Sequence, residues 1–173
     1  MAPTREAWAA AFATEARSDW TIYKMLAANA ALPRCHALHY LQMTTEKIAK
    51  AYRCRDTGAE LTDVLNLHVG FAKLMSAFLV SPTIKGEYED RDAHLQEVLK
   101  SARRLAREIE KLAPAVDRRS SPENAEYPWA HGDDVVTPCQ YEYPSLSLMQ
   151  GTGGRAFLKI LGRAISDFER IRI

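Results

Sequence analysis

Five cations recur at short helical steps between residues 100 and 111: Lys100, Arg103, Arg104, Arg107 and Lys111. On a helix that spacing makes a stripe, which Arg118 and Arg119 prolong. Such a stripe can follow a phosphate backbone, and Tyr127 and Trp129 downstream offer ring faces on which bases stack. Glu97, Glu108 and Glu110 interleave with it, which is also the pattern of a solvated mixed-charge face. A second group is Cys35, His36 and His39, which with Cys139 or His131 could contribute to a zinc site. It lacks the paired spacing of a zinc motif, and no His stands three residues after a Glu as a di-iron bundle requires. No metal and no cofactor is therefore expected. Gly151-Thr152-Gly153-Gly154-Arg155 could expose backbone N–H groups to an anion, but it matches neither phosphate-binding fingerprint and reads as a linker into the last helix.

These residues must be held by helices. The first is expected from Arg5 to Ala30, with Trp8, Phe12, Ala16, Asp19, Tyr23 and Leu26 on one face; Pro33 ends it. The second runs from about Arg34 to Asp56, with Leu38, Leu41, Thr45, Ile48 and Tyr52 inward, and stops at Thr57-Gly58. A third, Thr62 to Leu79, presents Leu65, His68, Phe71, Ala72, Met75 and Leu79 to the core. Pro82 to Asp92 reads as an exposed loop. The fourth, Ala93 to Ala113, buries Leu95, Val98, Leu99, Ala102, Leu105, Ile109 and Leu112 and is closed by Pro114. Residues 114–153 hold five of the eight prolines with Tyr127, Trp129, Tyr141 and Tyr143. A structureless stretch of that length is uncommon in a compact domain, so it should pack on the bundle, with a strand pair around Val135-Val136 and Gln140 to Tyr143. A fifth helix spans Arg155 to Arg172. The expected architecture is all-α: one domain over residues 1–173, about five helices, and an irregular Pro- and aromatic-rich insertion before the last.

At 173 residues and a formal net charge of +1, the chain can bury a proper core but has no global field to draw nucleic acid. Three cysteines without Cys-x-x-Cys spacing fit reduced thiols in a cytoplasm. Arg5, Glu6, Glu15 and Arg17 interrupt what a signal peptide would keep apolar, and no apolar run is long enough to span a bilayer. A cytoplasmic protein with no membrane partner is expected.

Leu41-Gln42 followed by Glu46-Lys47-Ile48-Ala49-Lys50-Ala51 resembles the second helix of HEPN domains. Asp19 in the first helix and His68 near the third match residues that the family keeps in similar settings. The likeness is best from about Ala16 to Met75. It implies a helical bundle, a bacterial toxin–antitoxin or defence role, RNA or nucleotide as ligand, a homodimer, and a nucleotidyltransferase or defence-system protein as partner. In active HEPN ribonucleases an Arg precedes a His by four to six residues; the Arg stabilises phosphate charge and the His moves the 2′-hydroxyl proton or holds the phosphate. Arg34 and His39 have that spacing but open the second helix rather than a late one. Arg119 and His131 lie nearer the family's place at longer spacing, with Arg118 and Asn124 beside them, and are the first choice for metal-independent RNA cleavage. Arg103, Arg104 and Arg107 would guide phosphates, and Tyr127 and Trp129 would stack bases. The rival expectation is a non-catalytic dimerisation or adaptor module whose interface uses Trp129, Tyr141 and Tyr143.

Overall fold

The computed structural model describes residues 2–85, 92–113 and 116–171. Helix α1 (Arg5–Ala27) begins where the Thr4 hydroxyl accepts the Ala7 N–H at 3.2 Å, which satisfies one of the donors a helix start leaves open. Its buried stripe is Ala9, Ala13, Ala16, Asp19 and Tyr23, small at one end, so that α2 (Arg34–Cys54) packs closely along it. Most of α2 is buried, as a helix through the middle of a bundle must be. Tyr52 near its end donates to the Ala164 carbonyl at 2.9 Å and meets Phe78 and Phe168 edge-on.

The expected third helix is divided. The structure has α3 (Leu61–Leu65), a break, and α4 (Phe71–Val80). Gly70 takes φ 148°, open to glycine alone, and the Glu110 carboxylate accepts the N–H groups of Gly70 (2.6 Å) and Ala72 (3.1 Å). A carboxylate from another helix thus starts α4, and periodicity within one segment carries no sign of it. His68 falls in the break and is exposed, not on an inner face. Pro82 to Lys85 forms a helical turn, α5, where a loop was expected; residues 86–91 of that loop lie outside the described residues, as does Pro114. Helix α6 (Asp92–Glu110) buries Val98, Leu99, Ala102, Leu105 and Ile109, while the Leu95 side chain lies outside the described ones.

The insertion is ordered over its described part. Arg118 donates to the carbonyls of Lys111 (3.1 Å), Leu112 (3.1 Å) and Ala113 at the end of α6, and to those of Ser121 (3.2 Å) and Glu123 (2.7 Å) beyond it. A guanidinium here closes the helix and holds the turn that leaves it. Strands β1 (Trp129–His131) and β2 (Asp134–Val136) pair antiparallel, with Trp129 opposite Val136, around a tight turn in which Gly132 has φ 63°. This replaces the expected pairing of Val135-Val136 with Gln140 to Tyr143. Pro138 lacks the N–H a ladder needs, and Pro138–Gln140 coil as a 3-10 turn instead.

A longer 3-10 segment, Pro144–Gln150, leads into α7 (Thr152–Ser166). A Cβ on Gly154 would sit 2.0 Å from the Met149 carbonyl oxygen, and one on Gly153 would sit 2.9 Å from Ser101 Cβ. The glycine run therefore lets α7 start hard against the 3-10 segment and α6. Residue 172, the expected end of this helix, lies outside the described residues. The architecture is mostly helical and bundle-like with one small hairpin. Among the described residues no helix is long and apolar enough to cross a membrane.

Candidate functional site

The first two turns of α2 carry Cys35, His36, His39 and Tyr40, and the insertion lies across them. Between the two is an open cleft of about 490 Å³, walled on the far side by Ala125 to Pro128 and Thr137 to Cys139. Arg34 ties the sides together by donating to the Glu142 (3.1 Å) and Leu146 (3.2 Å) carbonyls. Asn124 shapes the far wall: its Oδ1 accepts the N–H groups of Glu126 (2.9 Å) and Tyr127 (2.6 Å), an Asx turn that sets both residues.

Behind the wall, the Tyr143 hydroxyl donates to the Asn124 carbonyl at 2.9 Å and lies 3.4 Å from that of Pro138, joining both parts of the wall. Tyr143 is fully buried at φ 51°, a left-handed backbone that a bulky residue adopts only where its surroundings hold it. The Tyr141 ring stands edge-on to both Trp129 (5.0 Å) and Tyr143 (5.1 Å). Burial and the hydrogen bond to Glu123 (2.7 Å) push the Tyr141 phenol up to about 12, so it stays a donor throughout the ordinary pH range.

In the cleft, His39 Nδ1 is buried and lies 3.2 Å from Glu126 Oε1, close enough for an ion pair though off the line of a hydrogen bond. Tyr127 is 63% exposed at the rim. Cys35 Sγ and Cys139 Sγ are 3.6 Å apart, and burial together with that contact pushes the Cys35 thiol up to about 11. His36 completes a group in which all three ligand atoms lie within 4.8 Å of one another.

The candidates from the sequence fare differently. His39 is in the cleft, and the Arg34 guanidinium is bonded to the insertion's carbonyls. Arg119 and His131 are both exposed, on a turn and at the end of β1, and among the described residues no hydrogen bond or ion pair joins them. Arg118 and Asn124 organise the backbone. Trp129 is 8% exposed, so of these two rings only Tyr127 presents a face to solvent. The interface drawn from Trp129, Tyr141 and Tyr143 is largely turned inward: the Tyr141 ring meets the other two edge-on, and Trp129 and Tyr143 are buried. Of the basic stripe, Arg103 donates to Ser76 Oγ at 2.8 Å and Lys111 pairs with Glu108 at 2.9 Å. Arg104 and Arg107 are exposed, with no partner among the described residues.

Asp19, Glu46, Lys47 and His68, which carry the HEPN resemblance, form a separate polar row. Lys47 Nζ meets Asp19 at 2.7 Å, and Glu46 takes both Lys50 (3.0 Å) and His68 (3.2 Å). Its pairing is internal to α1, α2 and the α3–α4 break. Glu126 is the residue that sequence reasoning missed, since nothing local links it to a histidine 87 positions earlier (126 − 39). In comparisons with protein families, curated proteins and solved structures, nothing matches this chain.

Proposed function

We propose that this is a HEPN-like RNA-binding protein of a bacterial toxin–antitoxin or defence system, with the cleft between α2 and the insertion as its nucleotide seat. The observation that carries the reading is exposed Tyr127 at the rim of the same cleft as His39 and the carboxylate beside it, Glu126. A base stacked on Tyr127 places its ribose among these groups. In the catalytic form of the proposal, His39 Nε2 takes the 2′-hydroxyl proton, the 2′-oxygen bonds to phosphorus, and the 5′-oxygen leaves as a hydroxyl with a proton from water. Exposed Arg104 and Arg107 supply further phosphate contacts, and the HEPN-like pattern of α2 supports the biological setting.

The test is binding of labelled single-stranded RNA followed by fluorescence anisotropy across a salt series. Tyr127→Ala should cost about 1–3 kcal/mol of affinity, the usual worth of one stacked base, with the helical signal unchanged. Affinity indifferent to salt, or a Tyr127→Ala variant that binds like the parent, would sink the proposal. Cleavage of the same RNA, if it is seen, should disappear in His39→Ala and persist in His131→Ala.

A further inference from the structure

We propose that Cys35, His36 and Cys139 hold one zinc ion at the edge of the cleft. The three come from segments 104 residues apart, yet their donor atoms converge within 4.8 Å. A tetrahedral zinc with Zn–S bonds of about 2.3 Å sets its two sulfurs about 3.8 Å apart. The 3.6 Å between Cys35 Sγ and Cys139 Sγ is close to that edge, and far longer than the roughly 2.05 Å of a disulfide.

The scaffold that keeps them there is independent of any metal. Arg34, next to Cys35, is bonded to the insertion, and the Tyr143 hydroxyl lies against the carbonyl of Pro138, next to Cys139. Cys35 and His36 also occupy the first turn of a 21-residue helix, which fixes their spacing.

Two thiolates and an imidazole are soft and borderline donors, which select zinc over magnesium or calcium. The ion displaces both thiol protons to solvent, so two negative sulfurs balance its charge. His39 lies outside this group, whose three donor atoms belong to Cys35, His36 and Cys139. Three protein ligands leave one tetrahedral position, open to the cleft, for water. Bound there, the ion fastens the 138–140 turn to α2. The proposal does not depend on RNA binding.

The experiment loads the reduced, metal-stripped 173-residue chain with Co²⁺ and then Zn²⁺ and reads stoichiometry, the thiolate-to-cobalt charge-transfer band and the thermal midpoint. One equivalent per chain, a charge-transfer band that zinc bleaches, and a midpoint that rises with zinc are expected. Cys139 and His36 are exposed, so Cys139→Ser and His36→Ala test the site without emptying the core. Each should weaken zinc by more than the roughly 100-fold that loss of an outer partner costs. His131→Ala should keep full stoichiometry. Zinc affinity unchanged by Cys139→Ser overturns the site. So does a reduced chain that takes up no cobalt, or one recovered metal-free with Cys35 and Cys139 joined in a disulfide.

Discussion

The guanidinium of Arg118 donates to carbonyls on both sides of the junction between α6 and the insertion, and no other cation could span them. Arg118→Ala should therefore destabilise the fold by about 2–4 kcal/mol in urea unfolding, because it orphans several half-buried carbonyls at once. A loss below half a kcal/mol would mean that water replaces the side chain without cost. The arginines on α6 divide in the opposite sense. Removing Arg104 and Arg107 together should leave stability alone and flatten the salt dependence of RNA binding by about 1.4 in log–log slope, two phosphates at about 0.7 each. Arg103→Ala should instead lower stability through its lost bond to Ser76. Spacing on a helix shows which residues share a stripe. It does not show which of them a neighbouring helix has already claimed, so the three looked equivalent in the sequence.

Two of the three glycines in helix α7, Gly154 and Gly162, have opposite meanings. Gly154→Ala pushes a methyl group into the Met149 carbonyl and should cost about 3 kcal/mol or more, since both parties are backbone. Gly162 faces only Trp20, at an ordinary 3.7 Å, so Gly162→Ala should stabilise the helix by about 0.5–1 kcal/mol. Equal effects in thermal unfolding would contradict the packing described at the start of α7. At the other end of this helix lies Asp167. Burial alone would raise its carboxyl, but Arg163, at 2.7 Å, and Arg170 outweigh that and hold it below the usual aspartate range. A depressed folded value gives stability that is complete above the unfolded value of about 3.9 and is lost as pH falls through the folded one. Acid unfolding midpoints should show that loss below about pH 4, and Asp167→Asn should remove this part of it. The long helices α1, α2, α6 and α7 were legible because each carries its own apolar period. The α3–α4 break was not, because its cause, Glu110, sits on α6.

Over the whole molecule, the insertion belongs to the core rather than decorating it: Tyr143 and Leu146 are as buried as Ile48 in α2. Amides of the 138–150 region should exchange with deuterium as slowly as those in the first turns of α2, and selective fast exchange there would show a loosely attached flap. Proline and aromatic content announced that this segment packs somewhere. It did not announce the partner, since contacts between Arg34 and Glu142, or His39 and Glu126, leave no periodic trace in either stretch. Cys35, His36 and His39 could be grouped beforehand, with Cys139 or His131 left open as the residue from elsewhere, because thiols and imidazoles are few enough to enumerate. The distance along the chain between the two walls of the cleft also sets a schedule. A ribosome moving at about 5–20 residues per second finishes the Cys35 turn roughly 5–20 s before it reaches Cys139. The nascent protein passes that interval with half a cleft, so whatever the cleft does begins only after the segment around Cys139 has been made.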